Sequence, residues 1–296
     1  MKLAGVTVLY NPEPEVAKNV KTYIDSLDVL YLIDNSESDN SSLFDSEKIK
    51  YVPNRKNLGV SRALNMGAEM AISEGFEWML TMDQDSCFPN NGCLEQMKAF
   101  LDFTLSDKCI PLLFGIESDK IGVVSPFHLT PTYTGDLPKG YTFSDIVMTS
   151  GNVINLSAYK QIGGYNEDYF IDAVDFDFCL NMKDHGYDII SLNYIRMSHP
   201  LGDPVFKTVL GKKMYSLNHN YIRQYYIVRN RRYFIDAHKK TSPAFCKAEK
   251  KRTFREAAKI LLLEKDKYRK LLYMYRGYKD YKRGIKGEIP EKFKKG

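Results

Sequence analysis

The most constraining feature of this sequence is a series of four short apolar segments that alternate with helical patterns. The four segments are residues 3–10, 29–33, 49–52 and 78–82. Their β-branched and aromatic residues, bounded by polar ones, are typical of buried strands. Apolar residues at helical spacing occupy residues 15–27 and 58–72. Because strands that alternate with helices join through right-handed crossovers, the sequence predicts an α/β fold with a mainly parallel sheet.

Polar residues follow each of these strands. They are Asn11, Asp34, Asn54, Asn57, Asp83 and Asp85. Ligands of open parallel sheets bind beyond the carboxyl ends of the strands. We therefore expect these side chains to converge on one crevice.

The rest of the chain is less regular. Strands are predicted at residues 121–125, 146–148 and 187–192, and helices at residues 155–162 and 171–184. From residue 219 onward the pattern predicts helices rich in Tyr, Arg and Lys. We predict one compact domain at residues 1–238 and a basic helical segment at residues 239–296.

The positive charge of the chain is concentrated near its end. Residues 239–296 hold 20 Lys and Arg against 7 Asp and Glu, a net +13, whereas the whole chain is +5. The first 238 residues therefore carry −8. A basic segment favours polyanions or an anionic bilayer, and a solvated helical face is the alternative.

Asp83 and Asp85 emerge together where an apolar strand ends. Carboxylate oxygens suit Mg²⁺ or Mn²⁺, and such an ion can neutralise a diphosphate leaving group. Acidic turns are common, so an Asp-x-Asp pair by itself is a weak signal. Its place at a strand end favours a metal and diphosphate site over a solvated loop.

Asp34 and Asn57 are candidates for shaping a nucleotide pocket. Asp34 ends the second strand and is placed to accept a hydrogen bond from the imide N–H of uracil or thymine. The alternative is an Asx turn in a loop rich in Ser and Asn. Asn57 opens a helix whose small residues Gly59 and Ala63 permit close packing, and whose free N–H groups can face an anion.

Three carboxylates stand near the start of the helix predicted at residues 171–184: Asp172, Asp175 and Asp177. Direct attack by an acceptor hydroxyl on an anomeric carbon benefits from a carboxylate base. Helix-start acids are also favoured by the macrodipole, which accounts for one of the three.

His199 and Arg229 are weaker candidates. His199 follows the last strand and is placed to bring a neutral imidazole to a metal, although a lone His is more often structural. Arg229 lies in the run YYIVRN and either faces phosphates or belongs to a core helix with surface Arg residues.

Seven segments stand in a distinctive order along the chain: VTVLYNP, a DNS loop, NLGVSRALN, a DQDS turn, TSGNVINLSAYKQIGGYNEDYFIDAVDFDFCL, SHPLG and YYIVRN. This ordered set strongly resembles the family-2 inverting glycosyltransferases of the GT-A fold, and within them the bacterial rhamnosyltransferases of polysaccharide assembly. The resemblance implies a Rossmann-like mixed sheet flanked by helices, here with a helical C-terminal appendage.

The resemblance also implies roles for individual residues. Asp175 would be the catalytic base, with Asp172 or Asp177 as its acidic partner, because Val174 stands where many relatives have Glu. Asp85 would bind the metal directly, with Asp83 and His199. Ser150, Gly151 and Arg229 would lie near the donor sugar or acceptor. The nucleotide-binding set would be Tyr10, Asn11, Asp34, Asn57, Asp83 and Gln84.

The implied reaction is a metal-dependent, inverting single displacement. The expected donor is dTDP-rhamnose and the expected acceptor a glycan or lipid-linked oligosaccharide of O-antigen or other cell-envelope synthesis. Mn²⁺ or Mg²⁺ is the expected cofactor, and no nucleic acid partner is expected. The processive Q-x-x-R-W motif is absent from the sequence, which favours one sugar per encounter.

Three alternatives stay open from sequence. The first is a transferase that uses a UDP-linked sugar such as galactose or GlcNAc. The second is a protein that binds nucleotide sugars without catalysis. The third is a sugar nucleotidylyltransferase. The last is disfavoured because YNPEPE, not a phosphate loop rich in Gly and Arg, follows the first strand.

The expected location is the cytoplasm, or the inner face of the cell membrane with the basic C-terminal segment as the contact. The five cysteines show no metal-site spacing and are expected to be reduced thiols. The N-terminus lacks the pattern of a secretory signal, and no apolar run reaches the roughly 18 residues of a membrane span.

Overall fold

The computed structural model describes residues 1–106, 115–129, 133, 135–136, 138–198, 204–209 and 211–294. Contacts divide the chain into two compact units. Unit 1 is Met1–Asn166 with Asp175–Pro200, and unit 2 is Glu167–Val174 with Leu201–Gly296. This division differs from the boundary predicted after residue 238, because the helix Tyr221–His238 packs with the later helices.

Unit 1 is built on one mixed eight-stranded sheet. Its strands are β1 (Ala4–Leu9), β2 (Val29–Asp34), β3 (Ile49–Pro53), β4 (Trp78–Asp83), β5 (Ile121–Leu129), β6 (Tyr141–Phe143), β7 (Asn152–Asn155) and β8 (Asp188–Ser198). The strand order is β3-β2-β1-β4-β7-β5-β8-β6. The first four are mutually parallel, β7 is antiparallel to both its neighbours, β5 and β8 are parallel, and β6 is antiparallel to β8. The predicted α/β fold with a mixed sheet is confirmed.

Within the described residues, five helices accompany the sheet: α1 (Glu15–Lys21), α2 (Val60–Ser73), α3 (Gly92–Ser106), α4 (Leu156–Ile162) and α5 (Val174–Asp184). Short 3-10 turns lie at Ile24–Ser26, Ser41–Leu43, Ser118–Lys120 and Glu167–Tyr169. The prediction of a strand at residues 146–148 was wrong, because the edge strand of the sheet is Tyr141–Phe143. The helix predicted from residue 171 begins at Val174 because Phe170, Asp172 and Ala173 all have positive φ.

The apolar patterns become the core of unit 1. All six residues of β2 are buried, and one face of α2 packs on β1 and β2. Gly67 makes that approach close, because a Cβ there would lie 2.3 Å from Cγ2 of Val6. The sequence pointed instead to Gly59 and Ala63, of which Ala63 is fully buried.

Unit 2 is mainly helical. It contains the hairpin β9 (Val205–Val209) and β10 (Lys212–Ser216), then α6 (Tyr221–His238), α7 (Pro243–Leu263), α8 (Lys267–Lys282) and a 3-10 turn at Glu291–Phe293. A Cβ at Gly277 of α8 would lie 2.3 Å from the Tyr225 carbonyl oxygen, so α6 and α8 pack closely. Buried Arg231 joins α6 to α7 through Glu249 at 3.0 Å and Glu256 at 2.7 Å. The predicted helical character of the C-terminal segment is confirmed.

Among the helices that the structure describes, none has the length and apolarity needed to cross a membrane. The described cysteines Cys87, Cys93, Cys179 and Cys246 are free thiols.

Candidate active site

The carboxyl ends of β1, β2 and β4 lie side by side in unit 1. Leu9 of β1 is opposite Asp34 of β2, and Val8 is opposite Asp83 of β4. Since neighbouring strands are roughly 4.8 Å apart, the Cα atoms of Asp34 and Asp83 are separated by about 10 Å. The predicted convergence of these strand ends is therefore present in the structure.

The Asp34 carboxylate is fully buried and takes four hydrogen bonds. Oδ1 accepts from the backbone N–H of Ser36 at 2.8 Å and from its hydroxyl at 2.5 Å. Oδ2 accepts from the Tyr51 hydroxyl at 2.5 Å and from the Asn40 amide at 2.8 Å. This is an Asx turn reinforced from the next strand, and it fills the lone pairs of both oxygens.

These hydrogen bonds control the ionisation of Asp34. Burial raises its pKa, but the bonds from Ser36, Tyr51 and Asn40 outweigh burial, so the pKa lies below the ordinary value of 3.8. The pKa of Tyr51 is raised to about 12, by burial and by its bond to Asp34. At neutral pH Asp34 is therefore an anion that binds neutral donors.

Asp34→Asn is expected to destabilise the protein by about 2 kcal/mol at about pH 7, because the amide leaves buried donors without acceptors. A lowered folded-state pKa gives stability that is present above the unfolded value and lost as pH falls through the folded value. The difference from wild type should therefore shrink below the ordinary pKa of 3.8. Urea unfolding at about pH 7 and about pH 3 measures it, and a pH-independent difference would contradict this account.

Tyr10 and Gln84 tie the end of β1 to the turn after β4. The Gln84 side chain accepts from the Tyr10 backbone N–H at 2.8 Å and donates to the Tyr10 carbonyl at 3.1 Å. The next backbone N–H, that of Asn11, donates to the Ser36 hydroxyl at 2.7 Å. Three predicted nucleotide-binding residues thus form one hydrogen-bonded rim, along which the Tyr10 side chain is 51% exposed.

Asn57 shapes the loop that precedes α2. Its side-chain oxygen accepts from the backbone N–H of Gly59 at 2.9 Å. The Gly59 carbonyl in turn accepts from the Asn35 amide at 3.1 Å, which links this loop to the end of β2. In this structure the Asn57 side chain fixes the loop.

Asp83 and Asp85 occupy the turn at the end of β4. The Ser86 backbone N–H closes the turn on the Asp83 carbonyl at 3.2 Å. Asp85 is exposed, Asp83 is half-buried, and the Ser86 hydroxyl lies 3.4 Å from Oδ1 of Asp85. Two oxygen donors on one accessible turn fit a Mg²⁺ or Mn²⁺ site that substrate phosphates complete.

The structure offers no preformed cage for that ion within the described ranges. No group of three or more His, Cys, Asp or Glu side chains is gathered there in a way that would hold a metal. His199, the third predicted ligand, lies outside the described residues. Magnesium is commonly held by one or two carboxylates and substrate phosphates, so the pair fits such a site without a cage.

Ser150 and Gly151 support the end of β4 from the neighbouring loop. The Ser150 hydroxyl accepts from the Asp83 backbone N–H at 3.1 Å, and the Gly151 N–H donates to the Thr81 carbonyl at 2.7 Å. His128, which sequence reasoning missed, lies with Nε2 at 2.6 Å from the Ser150 carbonyl. The predicted sugar-site loop is thus attached directly to the Asp83 backbone.

Gly151→Ala is expected to cost clearly more stability than Gly163→Ala, and to lower activity. Both glycines have φ near +80°, at +83° and +82°. A Cβ at Gly151 would lie 2.7 Å from the Met197 sulfur, whereas a Cβ at Gly163 meets nothing within 4 Å. Gly163→Ala should therefore show only the left-handed strain of about 1 kcal/mol, and Gly151→Ala about 1 kcal/mol or more beyond that. Equal melting temperatures for the two variants would contradict this reading.

Asp175 lies in the first turn of α5, where the helix dipole favours a negative charge. Burial raises the pKa of Tyr165 and of Cys179, and the Asp175 carboxylate raises both further. The Thr81 hydroxyl of β4, two residues before Asp83, acts in the opposite direction and lowers the pKa of Tyr165. Asp175 is therefore within electrostatic reach of residues that pack at the carboxyl end of β4.

The predicted partners of Asp175 are engaged elsewhere. Asp177 is buried and accepts from the Asn181 amide at 3.2 Å. Asp172 belongs to unit 2, where Oδ1 binds Arg223 at 3.1 Å. The structure thus describes each of these carboxylates with a partner of its own.

Arg229 lies in the interior of unit 2. It is fully buried, and its guanidinium donates to the Gly287 carbonyl at 2.6 Å and lies over the rings of Tyr225 and Tyr226. A contact of Arg229 with sugar or phosphate, as predicted, has no support in this arrangement. The reason is that the run YYIVRN forms part of a core helix, in which carbonyl oxygens and aromatic faces stabilise the buried guanidinium.

Asn230 is a residue that sequence reasoning missed. Its amide donates to the carbonyls of Tyr169, Ile171 and Asp172, at 2.7, 2.6 and 3.3 Å. These bonds stabilise the loop of positive φ angles that immediately precedes α5. Asn230 is fully buried in α6, as a residue that binds these carbonyls must be. This burial is visible only in the folded structure.

Part of this chain is similar in sequence to a known protein family. Residues 6–145 match the sequence model of glycosyl transferase family 2. The matched residues, just under half of the chain, are similar to a family 2 glycosyltransferase domain. A curated relative, dTDP-rhamnosyl transferase RfbF of Shigella flexneri, is 27% identical over 244 residues, which cover 76% of this chain and 77% of the relative. The chain is a glycosyltransferase similar to a rhamnosyltransferase.

Solved glycosyltransferase structures are also similar to this chain. S. aureus TarS 1-349 in complex with UDP-GlcNAc superposes with a TM-score of 0.59 at 14% identity, covering 96% of this chain and 82% of that one. GalNAc-T7 with UDP, GalNAc and Mn2+ gives a TM-score of 0.48 at 13% identity, and the chain covers 45% of its length. The likeness to TarS shows the GT-A fold that the sequence resemblance implied.

Proposed function

We propose that this glycosyltransferase transfers rhamnose from dTDP-rhamnose to a glycan or lipid-linked oligosaccharide acceptor, with inversion at the anomeric carbon. The similarity to RfbF over three quarters of both chains is the observation that carries the choice of donor. The arrangement of carboxylates around the ends of β2 and β4 supports the chemistry.

The nucleotide would bind along the rim formed by Tyr10 and Gln84. The exposed Tyr10 side chain offers an aromatic face to the base, next to the turn that holds Asp83 and Asp85. A hydrogen bond from the thymine imide N–H to Asp34 would require one of its four present donors to move. We assign this movement to Asn40, because it lies on the loop between β2 and β3.

Asp83 and Asp85 would hold a divalent cation together with the donor diphosphate. Such an ion supplies neutralising charge for the nucleoside diphosphate as it leaves. The residues themselves contribute a rigid, partly exposed pair of oxygen donors, since the turn is closed by Ser86 and anchored by Ser150.

Asp175 would act as the base. It takes the proton of the acceptor hydroxyl while the acceptor oxygen forms a bond to the anomeric carbon and the bond from that carbon to the diphosphate oxygen breaks. One displacement inverts the configuration and leaves no sugar attached to the enzyme. A positioned carboxylate base of this kind contributes about 10² to 10⁴ in rate.

A donor panel tests the proposal. The enzyme is incubated with Mn²⁺, a lipid-linked acceptor and dTDP-rhamnose, dTDP-glucose, UDP-galactose or UDP-GlcNAc, and the product is examined by mass and by NMR of the new linkage. We expect transfer from dTDP-rhamnose only, with inverted configuration. Preferred transfer from a UDP-sugar would overturn the donor assignment, and retained configuration would overturn the single displacement.

A further inference from the structure

Helices α7 and α8 of unit 2 expose large apolar side chains to solvent. The exposed fractions are 71% for Phe254, 48% for Leu261, 53% for Leu262, 90% for Tyr268, 45% for Leu272 and 56% for Tyr275. At helical spacing, Phe254, Leu261 and Leu262 share one side of α7, and Tyr268, Leu272 and Tyr275 share one side of α8. We call these six residues with the lysines beside them the outer face.

The apolar parts of the two helices adjoin along the chain. Leu261 and Leu262 end α7, and Tyr268 begins α8 just after the turn at Asp266. Exposed lysines lie farther out on the same helical sides, at Lys247 and Lys251 of α7 and at Lys279 and Lys282 of α8. The outer face is thus apolar near the turn and cationic toward both far ends.

Acidic side chains are kept away from the outer face. Residues 243–282 contain 13 Lys and Arg but only five Asp and Glu. Glu249, Glu264 and Asp280 are buried, at 6%, 3% and 2% exposure. Glu256 is paired with Arg231 and Arg252, which leaves Asp266 as the one exposed carboxylate in this range.

The buried acids have specific inward partners. Glu249 binds Arg231 at 3.0 Å, Glu264 binds Lys270 at 2.6 Å, and Asp280 accepts from the Tyr225 hydroxyl at 2.9 Å. These contacts hold the carboxylates of Glu249, Glu264 and Asp280 in the interior of unit 2. The charge that remains on the outer face is therefore almost entirely positive.

Exposed aliphatic and aromatic side chains beside lysines are the composition of helices that lie in a membrane interface. Contiguous exposed apolar patches mark interaction sites, and clustered lysines bind anionic lipid headgroups. Single-stranded nucleic acid would use Phe254, Tyr268 and Tyr275 as stacking platforms but would leave the three exposed leucines uncovered, whereas a bilayer interface takes up all six side chains. The chemistry favours a lipid surface.

We infer that the outer face of α7 and α8 docks on an anionic phospholipid bilayer, with the apolar residues near the turn inserted among the headgroups. This inference is independent of the proposed donor and acceptor. It requires neither a membrane span nor a lipid-linked substrate.

Vesicle sedimentation tests the inference with the full chain. The protein is mixed with vesicles of phosphatidylcholine alone or with about 30% phosphatidylglycerol. We expect binding to the anionic vesicles only, and weaker binding as NaCl rises from about 50 to about 500 mM. The triple variant Phe254→Glu, Leu262→Glu and Tyr268→Glu should lower the partition coefficient at least about tenfold.

Matched controls separate docking from misfolding. Phe103→Glu and Tyr194→Glu alter side chains of similar exposure, 48% and 50%, in unit 1, and should bind vesicles as wild type does. The circular dichroism spectrum and the melting temperature should be unchanged in every variant. No binding of wild type to anionic vesicles would overturn the inference, as would equal binding by the triple variant. The inference would also be overturned if the wild type bound itself or RNA but not vesicles, and the triple variant lost that binding.

Discussion

Asp175→Asn is expected to lower turnover by about 10² to 10⁴ while the enzyme still binds its nucleotide. The amide has nearly the shape of the carboxylate but cannot accept the acceptor proton, so the loss should appear in kcat and not in KM for the donor. Transfer is measured by release of dTDP, and donor binding by thermal shift or calorimetry.

Asp184→Asn is the matched control for Asp175→Asn. Asp184 ends the same helix and is exposed, so its amide variant should retain wild-type turnover. A turnover within about threefold of wild type for Asp175→Asn would remove it as the base. An equal loss in both variants would instead indicate damage to α5.

Asp85→Asn is expected to reduce kcat/KM at least about 100-fold and to raise the Mn²⁺ concentration needed for half-maximal activity. The amide removes one of two negative charges on the turn after β4 and weakens the affinity for a hard cation. Activity as a function of Mn²⁺ and of Mg²⁺, after treatment with a chelator, measures the effect.

Asp45→Asn serves as the control for Asp85→Asn. Asp45 is an exposed carboxylate in the loop between β2 and β3, so its loss tests the effect of overall charge. Its metal titration should match wild type. A wild-type enzyme that is fully active after chelation would contradict the metal assignment for Asp83 and Asp85.

The strand-end part of the site was predictable from sequence. β1, β2 and β4 are continuous apolar runs bounded by polar residues, so their ends and the positions of Asp34 and Asp83 follow from local pattern alone. Parallel pairing then brings those ends to one edge without further information. Local signal and final structure agree where the strands are buried on both faces.

The structure differs from the sequence-based predictions where the conformation depends on contacts between residues far apart in the chain or on a very short element. The start of α5 is delayed by positive φ angles at Phe170 and Asp172, which Asn230 stabilises from about 60 residues away. Arg229 is a residue type that usually lies at the surface, and its burial depends on carbonyls and rings that only the fold assembles. The three-residue strand Tyr141–Phe143 is too short to give a periodic signal.

Asp34 combines one contact that the sequence predicts with others that it does not. The Ser36 contact is local and follows from an Asx turn, which sequence reasoning had as an alternative. The contact with Tyr51 comes from the next strand, 17 residues away. A base-reading role for Asp34 is compatible with sequence, but the number of donors already bound to it is visible only in the folded chain.

A crystal structure of the enzyme with dTDP-rhamnose and Mn²⁺ tests the central claim most directly, and Asp175→Asn slows turnover enough to trap the complex. We predict an anomalous manganese peak in contact with Asp85 and the diphosphate, the thymine beside Tyr10 and Asp34, and residue 175 facing the anomeric carbon. A nucleotide bound away from the ends of β1, β2 and β4, or a residue 175 remote from the sugar, would contradict the account.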